Sequence, residues 1–501
     1  MDTKDLDTEV RPLKNNSEKT QESSEPANST KTQGGLCRLS RWRSVAFFAS
    51  LFLCLIVVFA FSFIIPCPVR PISERTWNAQ YDNAETFGFL STEDVNQDKV
   101  KDVIFLVKAE NSSAHNSSCA EAGLQSPCVF MVALSGTNGS ELWSSPIAGN
   151  VQLAQCGINQ QAHAKSSVCF VVDTAGSVMA IASNTGRREW QTGAIFPADA
   201  VVTSPLLQLP DEDDTDDLLV FAAFGDELQG VLLSGSTGKL IGTKQSIGRK
   251  ARHYLHTTWH RALYVLFYTE SSIEAYSVGD LYTRLAGTTD KPALHRQDPD
   301  WEQQANKSAG YVPIIPASSS GDILYLLNVP GTKYNHILVV RSEVSELLDG
   351  QTFKSRWSMN TTNILSKPAF GYFKKDFLSI VMELGLADGW KKVIIVDGNS
   401  GSKDWEAEVA SGQNHPGPVT LHTGDRRSFF FFWGDLPADR NNTMVPKQSL
   451  FLFHPLHPSA WLLLNNHTEN VISFNGKFWA RQGWYLGASH STTQPGTKHI
   501  P

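Results

Sequence analysis

The chain has 501 residues, 41% of them hydrophobic, which is enough to bury the core of one large or two ordinary domains. Its 43 basic and 50 acidic side chains are interspersed and sum to −7, which excludes the basic footprint of a nucleic-acid-binding protein. Helical periodicity is scarce. Short apolar runs alternate with clusters of Gly, Asn, Asp, Ser and Pro, the pattern of an all-β protein.

Residues 1–44 depart from that pattern. They are polar, with almost no aromatics, and such a segment buries too little apolar surface to fold. They are expected to form a disordered cytoplasmic tail. Residues 45–65, "VAFFASLFLCLIVVFAFSFII", carry no charge and are long enough to cross a bilayer as one helix. The run starts late and ends in "PCPVRP" without a small-residue cleavage site, so it reads as a signal anchor rather than a removable signal peptide. Arg38, Arg41 and Arg43 crowd its N-terminal side, while only Arg70 and Arg75 follow closely. The positive-inside rule therefore places the tail in the cytosol and the remainder outside it, a single-pass type II arrangement with the lipid bilayer as its first partner. A stalk over 66–85, a folded ectodomain over 86–476 and an irregular tail over 477–501 complete the expected organisation.

Two further features agree with a lumenal or extracellular ectodomain. N-x-S/T sequons stand at Asn111, Asn116, Asn138, Asn306, Asn360, Asn441 and Asn466, mostly in turn-like stretches; those at Asn15 and Asn28 fall in the cytosolic tail and are expected to stay bare. Cys119, Cys128, Cys156 and Cys169 form an even set in an oxidising compartment, hence two disulfides. Three connectivities exist; the favoured one joins Cys119 to Cys128 across a short loop and Cys156 to Cys169 on neighbouring strands. Cys67 would lie at the outer membrane face, and Cys37 and Cys54 near or in the membrane.

The ectodomain repeats itself. "FMVALSGTNGSELW" (130–143), "SVMAIASNTGRREW" (177–190), "GVLLSGSTGKLIG" (230–242), "SELLDGQTFKSRW" (345–357) and "VIIVDGNSGSKDW" (393–405) each give an apolar strand, a glycine-centred turn and usually a tryptophan. "IEAYSVGDLY" (273–282) and "LFLFHPLHPSAW" (450–461) are weaker copies. Each is preceded by another apolar strand, and the turn glycines recur about every 50 residues. The pattern predicts a β-propeller of about seven four-stranded blades. Trp143, Trp190, Trp357, Trp405 and Trp461 recur with the blade, which assigns them to packing between blades rather than to a ligand.

One loop has metal-site spacing. In "EDVNQDKVKD", Asp94, Asn96, Asp98 and Asp102 occupy positions 1, 3, 5 and 9 before an apolar strand. Alternate positions share a side, and hard Ca²⁺ takes oxygen donors. D-x-N-x-D-x-x-x-D resembles the calcium loop of integrin-alpha FG-GAP blades, and the pair Phe87–Gly88 stands where that family has its namesake. The resemblance implies a structural calcium held by the side chains of Asp94, Asn96, Asp98 and Asp102 and the Val100 carbonyl. Lys99 stands where the family has a glycine. A second acidic loop, from Asp211 to Asp217, is two residues short of the pattern.

The anchor "RLSRWRSVAFFASLFLCLIVVFAFSFIIPCP" together with "EDVNQDKVKDVIFL", "SGTNGSELW", "SPLLQLPD", "SGSTGKLIG" and "FFFFWG" resembles the family with sequence similarity 234, type II membrane proteins with FG-GAP repeats. That resemblance runs to about residue 475 and implies a membrane glycoprotein with no established catalytic role. The sequence carries no G-x-S-x-G, H-E-x-x-H, P-loop or dinucleotide motif. His253, His256 and His260 cluster, but on a strand side chains three apart face opposite ways, so only His256 and His260 can share a face. The Trp-tagged repeat also resembles the scaffold of quinoprotein dehydrogenases, without their paired cysteines or an obvious carboxylate base. The expected function is a non-catalytic ectodomain that binds a protein or ligand, more often at the cell surface than in internal secretory membranes. The alternatives are a quinoprotein-like or hydrolase-type enzyme and a structural or trafficking subunit of another membrane protein.

Overall fold

The computed structural model describes residues 36–64, 77–81, 84–109, 119–159, 167–209, 216–289, 294–305, 310–315, 321–411, 415–435, 448–467, 470–479, 482–490 and 498–500. The chain divides into two compact units, Met1–Ile72 and Ser73–Pro501.

In the first unit, helix α1 spans Leu36–Ile64 and carries nearly all of the apolar run. It begins inside the expected disordered tail, because Leu36, Leu39 and Trp42 extend helix-compatible sequence ahead of the uncharged stretch. Its described side chains from Ser44 to Phe59 are exposed. Among the described residues no helix is long and apolar enough to cross a membrane; the side chains beyond Phe59, which complete the expected span over 45–65, lie outside them.

In the second unit, strands follow one another in antiparallel groups of four. Blade 1 pairs Ala84–Glu93, Asp102–Ala109, Cys128–Leu134 and Glu141–Ala148 in chain order. The same up-and-down order gives blade 2 over 151–194, blade 3 over 201–249 with one extra short strand, blade 4 over 252–315 and blade 5 over 323–360. Blades 6 (369–410) and 7 (419–467) join into one eight-stranded sheet through the single pair Ala410 and Asp435. The architecture is all-β, as the sequence predicts.

The described strands form eight such groups rather than seven. Asn470–Trp479, Gln482–His490 and Lys498–Ile500 pair in turn, and Lys498–Ile500 then pairs with Ala79–Tyr81 from the start of the unit. The expected stalk over 66–85 and irregular tail over 477–501 therefore both supply strands to this last sheet. A blade assembled from the two ends of a chain has no local repeat to betray it, because its pairing partners are hundreds of residues apart.

Each blade is covered on both faces, so its inner strands are apolar at every position. Cys128–Leu134 is buried throughout. Phe130, Val132 and Leu134 pack with Phe105 and, at their edge, Trp77 and Tyr81. Val129, Met131 and Ala133 point the other way, onto Cys169, Val171, Met179 and Ile181 of blade 2. That alternation follows from the two-residue period of a strand.

Tryptophan joins blade to blade. Trp143 of blade 1 donates its indole N–H to the Ser183 carbonyl at 2.9 Å in the turn of blade 2. Trp190 reaches Gly235 O at 2.9 Å, Trp357 reaches Gly398 O at 3.1 Å and Trp405 reaches Pro458 O at 3.0 Å, each one blade further on. Trp77, which the repeat does not reveal, does the same to Gly136 O at 3.1 Å. The ring lies under the turn glycine: a Cβ on Gly401, whose φ is +72°, would lie 2.7 Å from the Trp357 ring. Trp461 breaks the series; it is exposed and meets Trp405 edge to face at 6.1 Å.

Blade 3 ends differently. Gly242 stands where other copies carry tryptophan, and a Cβ there would lie 2.0 Å from the Leu285 carbonyl. Leu285 belongs to helix α2, Val278–Ala286, which Ser277 caps at its start and Gly287 ends at φ +74°. The weak repeat copy over 273–282 is thus a strand running into a helix, not a strand and turn. Val278, Leu281, Tyr282 and Leu285 bury against Leu228, Leu232 and Ile247 of blade 3 and occupy the space a tryptophan fills elsewhere.

Candidate functional site

The carboxylate loop joins the first two strands of blade 1 and ends where Asp102 begins the second. Asp102 is fully buried. Its Oδ2 accepts the Val95 N–H at 2.7 Å and the Asn96 N–H at 3.1 Å, and its Oδ1 accepts the Gly136 N–H at 2.9 Å. Burial pushes its carboxyl up, the three N–H donors pull it down, and the charge of Asp98 adds to the rise. Asn96 Oδ1 accepts the Asp98 N–H at 2.9 Å, Asp98 Oδ1 accepts the Val100 N–H at 2.7 Å, and Asp94 Oδ2 accepts the Lys99 N–H at 3.1 Å. Thr137, from the following turn, donates to Asp98 Oδ2 at 3.1 Å. Lys99 takes a left-handed φ of 68° where the integrin-like loop has glycine.

These contacts test the fit of a cation. The loop oxygens turn inward on their own backbone, and Asp94, Asp98 and Asp102 do not gather as a set within ligand range of one another. One oxygen is left over: Asp94 Oδ1 is buried and has no hydrogen-bond partner. Asp94, Asn96, Asp98 and Asp102 thus cap the turn in this arrangement, with Asp94 Oδ1 as the donor a cation would engage. Of the second acidic loop, Asp217 is buried opposite Leu209, and Asp211 lies outside the described residues.

The three histidines separate. His253 is buried and its ring nitrogens meet Pro205 O at 2.6 Å and Thr203 Oγ1 at 3.1 Å. His256 is fully buried with neither ring nitrogen partnered, and it stacks on Trp301 at 5.3 Å. Burial lowers both to about 4, so both are neutral at neutral pH. His260, in the turn that follows, is exposed and pairs through Nδ1 with Asp298 Oδ2 at 2.9 Å. Sequence reasoning singled out these histidines but not their partners.

Those partners lie in an insertion within blade 4. Asp298 caps the short helix α3, Pro299–Glu302, accepting from the Asp300 and Trp301 N–H groups. Burial pushes Asp298 up, but donors from His260, Thr258, Gln351 and the backbone outweigh it and leave the carboxyl below the usual range. Trp301 sits on α3 and docks on the blade 5 turn, donating to Gly350 O at 3.2 Å. Gln351 reaches back from that turn to Asp298 Oδ1 at 2.8 Å and Asp300 Oδ2 at 3.0 Å.

The four ectodomain cysteines pair as favoured: Cys119 with Cys128 and Cys156 with Cys169. Asn138, in a turn, and Asn360, at the end of the strand Ser355–Asn360, are exposed and accept the N–H two residues on, from Ser140 and Thr362. Asn466 lies on the last strand of blade 7 opposite Ser449. Asn111, Asn116, Asn306 and Asn441 lie outside the described residues, as do Cys67 and the side chain of Cys37. One serine–histidine pair has catalytic residue types. Ser428 Oγ lies 2.9 Å from His422 Nδ1, but it is fully buried and also accepts the Tyr372 N–H at 3.0 Å. It ties strands together and presents no nucleophile to solvent.

Comparison with known proteins follows the same outline. The FAM234A/B beta-propeller family matches residues 77–482. Protein FAM234A of Rattus norvegicus is 42% identical over 95% of this chain and 87% of the relative. Protein FAM234A of Homo sapiens is 38% identical over the same shares, and Protein FAM234B of Gallus gallus is 30% identical over 86% of this chain and 71% of its own. Among solved structures, BamB from Moraxella catarrhalis is similar at a TM-score of 0.38 and 10% identity, over 75% of this chain and 94% of that one. The computationally designed Ika8 protein gives 0.41 and 11%, over 83% and 96%. The match runs from Trp77, the first docking tryptophan, into the strands of the last sheet, and the chain belongs to the FAM234A/B β-propeller family.

Proposed function

We propose that this chain is a single-pass type II membrane glycoprotein whose propeller ectodomain binds another protein and performs no catalysis. The observation that carries the binding role is the last strand of blade 7. Trp461, Leu462, Leu463 and Leu464 are exposed in succession, with Leu462 62% accessible. Among the described residues the strand pairs on one side only. A contiguous apolar stretch on an open strand edge is a site for association with another chain. The membrane anchor is supported by the uncharged run on α1 and by the arginines before it. The sequons and the two disulfides support a secretory-pathway ectodomain, with the cell surface as its station.

Two measurements test this. In sealed microsomes, protease added outside should remove residues 1–44 and leave 70–501 protected, and glycosidase should shift the protected band; protection of the N-terminus refutes the topology. Proximity labelling on live cells should then mark a partner whose signal drops when Leu462→Ser and Leu464→Ser are combined. A labelled set unchanged by that pair refutes the binding surface. A partner whose surface level falls when the chain is removed would make the chain a trafficking subunit.

A further inference from the structure

We propose that His260, Asp298 and Asp300 form a site for a divalent metal ion of the zinc class, which the Gln351 side chain closes. The three side chains come from two separate stretches of blade 4, yet each brings a ligand atom within 4.8 Å of the others. Ligands around zinc lie about 2.0–2.2 Å from the ion and so roughly 3.5 Å from one another, a small adjustment from this spacing. One imidazole and two carboxylates suit zinc-class ions rather than calcium, which takes oxygen alone.

The division of labour within Asp298 leaves an oxygen for the ion. Oδ1 takes the capping N–H groups of Asp300 and Trp301 and the Gln351 amide. Oδ2 faces His260 at 2.9 Å, the contact an ion would bridge. On binding, His260 ligates through the Nδ1 lone pair, and any proton there leaves to solvent. Asp298 is fully buried while His260 and Asp300 are exposed. The ion thus enters from the solvent side, with one position of four left after these three ligands.

Gln351 supplies the independent sign of a ligand. It is 9% exposed, and its Oε1 is buried without a partner, while its Nε2 touches both carboxylates. An amide presents two donors on one arm and an acceptor on the other. With only carboxylates before it, the donor arm must face inward and the oxygen is orphaned. A cation between the carboxylates reverses that preference: the amide turns over, and the orphaned oxygen faces the ion. Buried acceptors without partners are uncommon enough to need such an explanation. The bound ion would link the turn at His260 to the α3 insertion.

The test uses the full chain in detergent, stripped with chelator and titrated with zinc chloride alone. The expected results are one ion bound per chain by calorimetry and a rise in melting temperature. Asp300→Asn and His260→Gln should each weaken zinc at least about tenfold. Asp300 is exposed, so Asp300→Asn should melt like the parent when no metal is present, which separates lost binding from lost folding. Asp98→Ala, in the blade 1 loop, should leave the zinc affinity unchanged. No binding by the parent, or undiminished binding by both the His260 and Asp300 variants, overturns the proposal.

Discussion

The indole of Trp301 donates to the Gly350 carbonyl at 3.2 Å, although Trp301 stands on a short inserted helix and the other docking tryptophans of blades 1, 2, 5 and 6 stand on strands. The insertion in blade 4 thus preserves the contact between blades while changing the element that makes it. Trp301 is fully buried among Tyr264, Phe353 and His256.

Replacing it should separate packing from hydrogen bonding. Trp301→Ala should cost about 3–5 kcal/mol, the range for deleting a buried aromatic side chain. Trp301→Phe keeps most of the apolar contact and should cost less. Urea unfolding of both variants checks this; equal losses would mean that ring burial does not set the energy.

Lys391 and Glu383 form an ion pair at 2.7 Å with both side chains 2% exposed, and Ser366 donates to the second carboxylate oxygen at 2.8 Å. Lys391→Met strands a buried carboxylate and should cost about 3–5 kcal/mol. Lys391→Met combined with Glu383→Leu should recover most of that loss, because no charge is then left unpaired. A double variant as unstable as the single one would show that the pair itself, and not the stranded charge, carries the energy.

Acid should destabilise the propeller through its buried histidines. His253 and His256 titrate at about 4 in the folded protein against an ordinary value of 6.5. Between those values the unfolded chain binds more protons than the folded one, so stability rises with pH across that window. It is complete above about pH 6.5 and is lost as pH falls towards 4. His256→Phe keeps a ring against Trp301 and removes one titrating group, so melting measured from pH 7 to 4 should fall less steeply. An unchanged slope would mean that His256 is not buried neutral.

Calcium should raise the melting temperature only if Asp94 Oδ1 has a cation to meet. An ion that binds the folded state adds stability in proportion to its occupancy, and extracellular modules bind with dissociation constants of about 10⁻⁴–10⁻³ M. Millimolar calcium should raise the midpoint and chelation lower it, and Asp98→Ala should abolish the difference without unfolding the chain. No calcium response in the parent leaves the loop as the self-capped turn its hydrogen bonds describe.

The sequence by itself determined the elements whose cause is local. Strands from "VIFLV" to "FFFFW" follow from unbroken apolar runs, several of the turns from glycines that tolerate positive φ cheaply, and the helix at α1 from an uncharged stretch. The inter-blade tryptophans were legible because they recur with the turn. Tertiary structure decided what depends on partners distant in the chain. It placed Ala79–Tyr81 beside Lys498–Ile500, seated Trp77 on the Gly136 turn, and put helix α2 where Gly242 leaves no side chain. It also set His260 against Asp298 and Gln351 across two blades. In each case no local signal exists: a strand's periodicity states which residues it buries, but hydrogen bonding between strands is the same backbone chemistry everywhere, so only packing of the whole unit selects the partner.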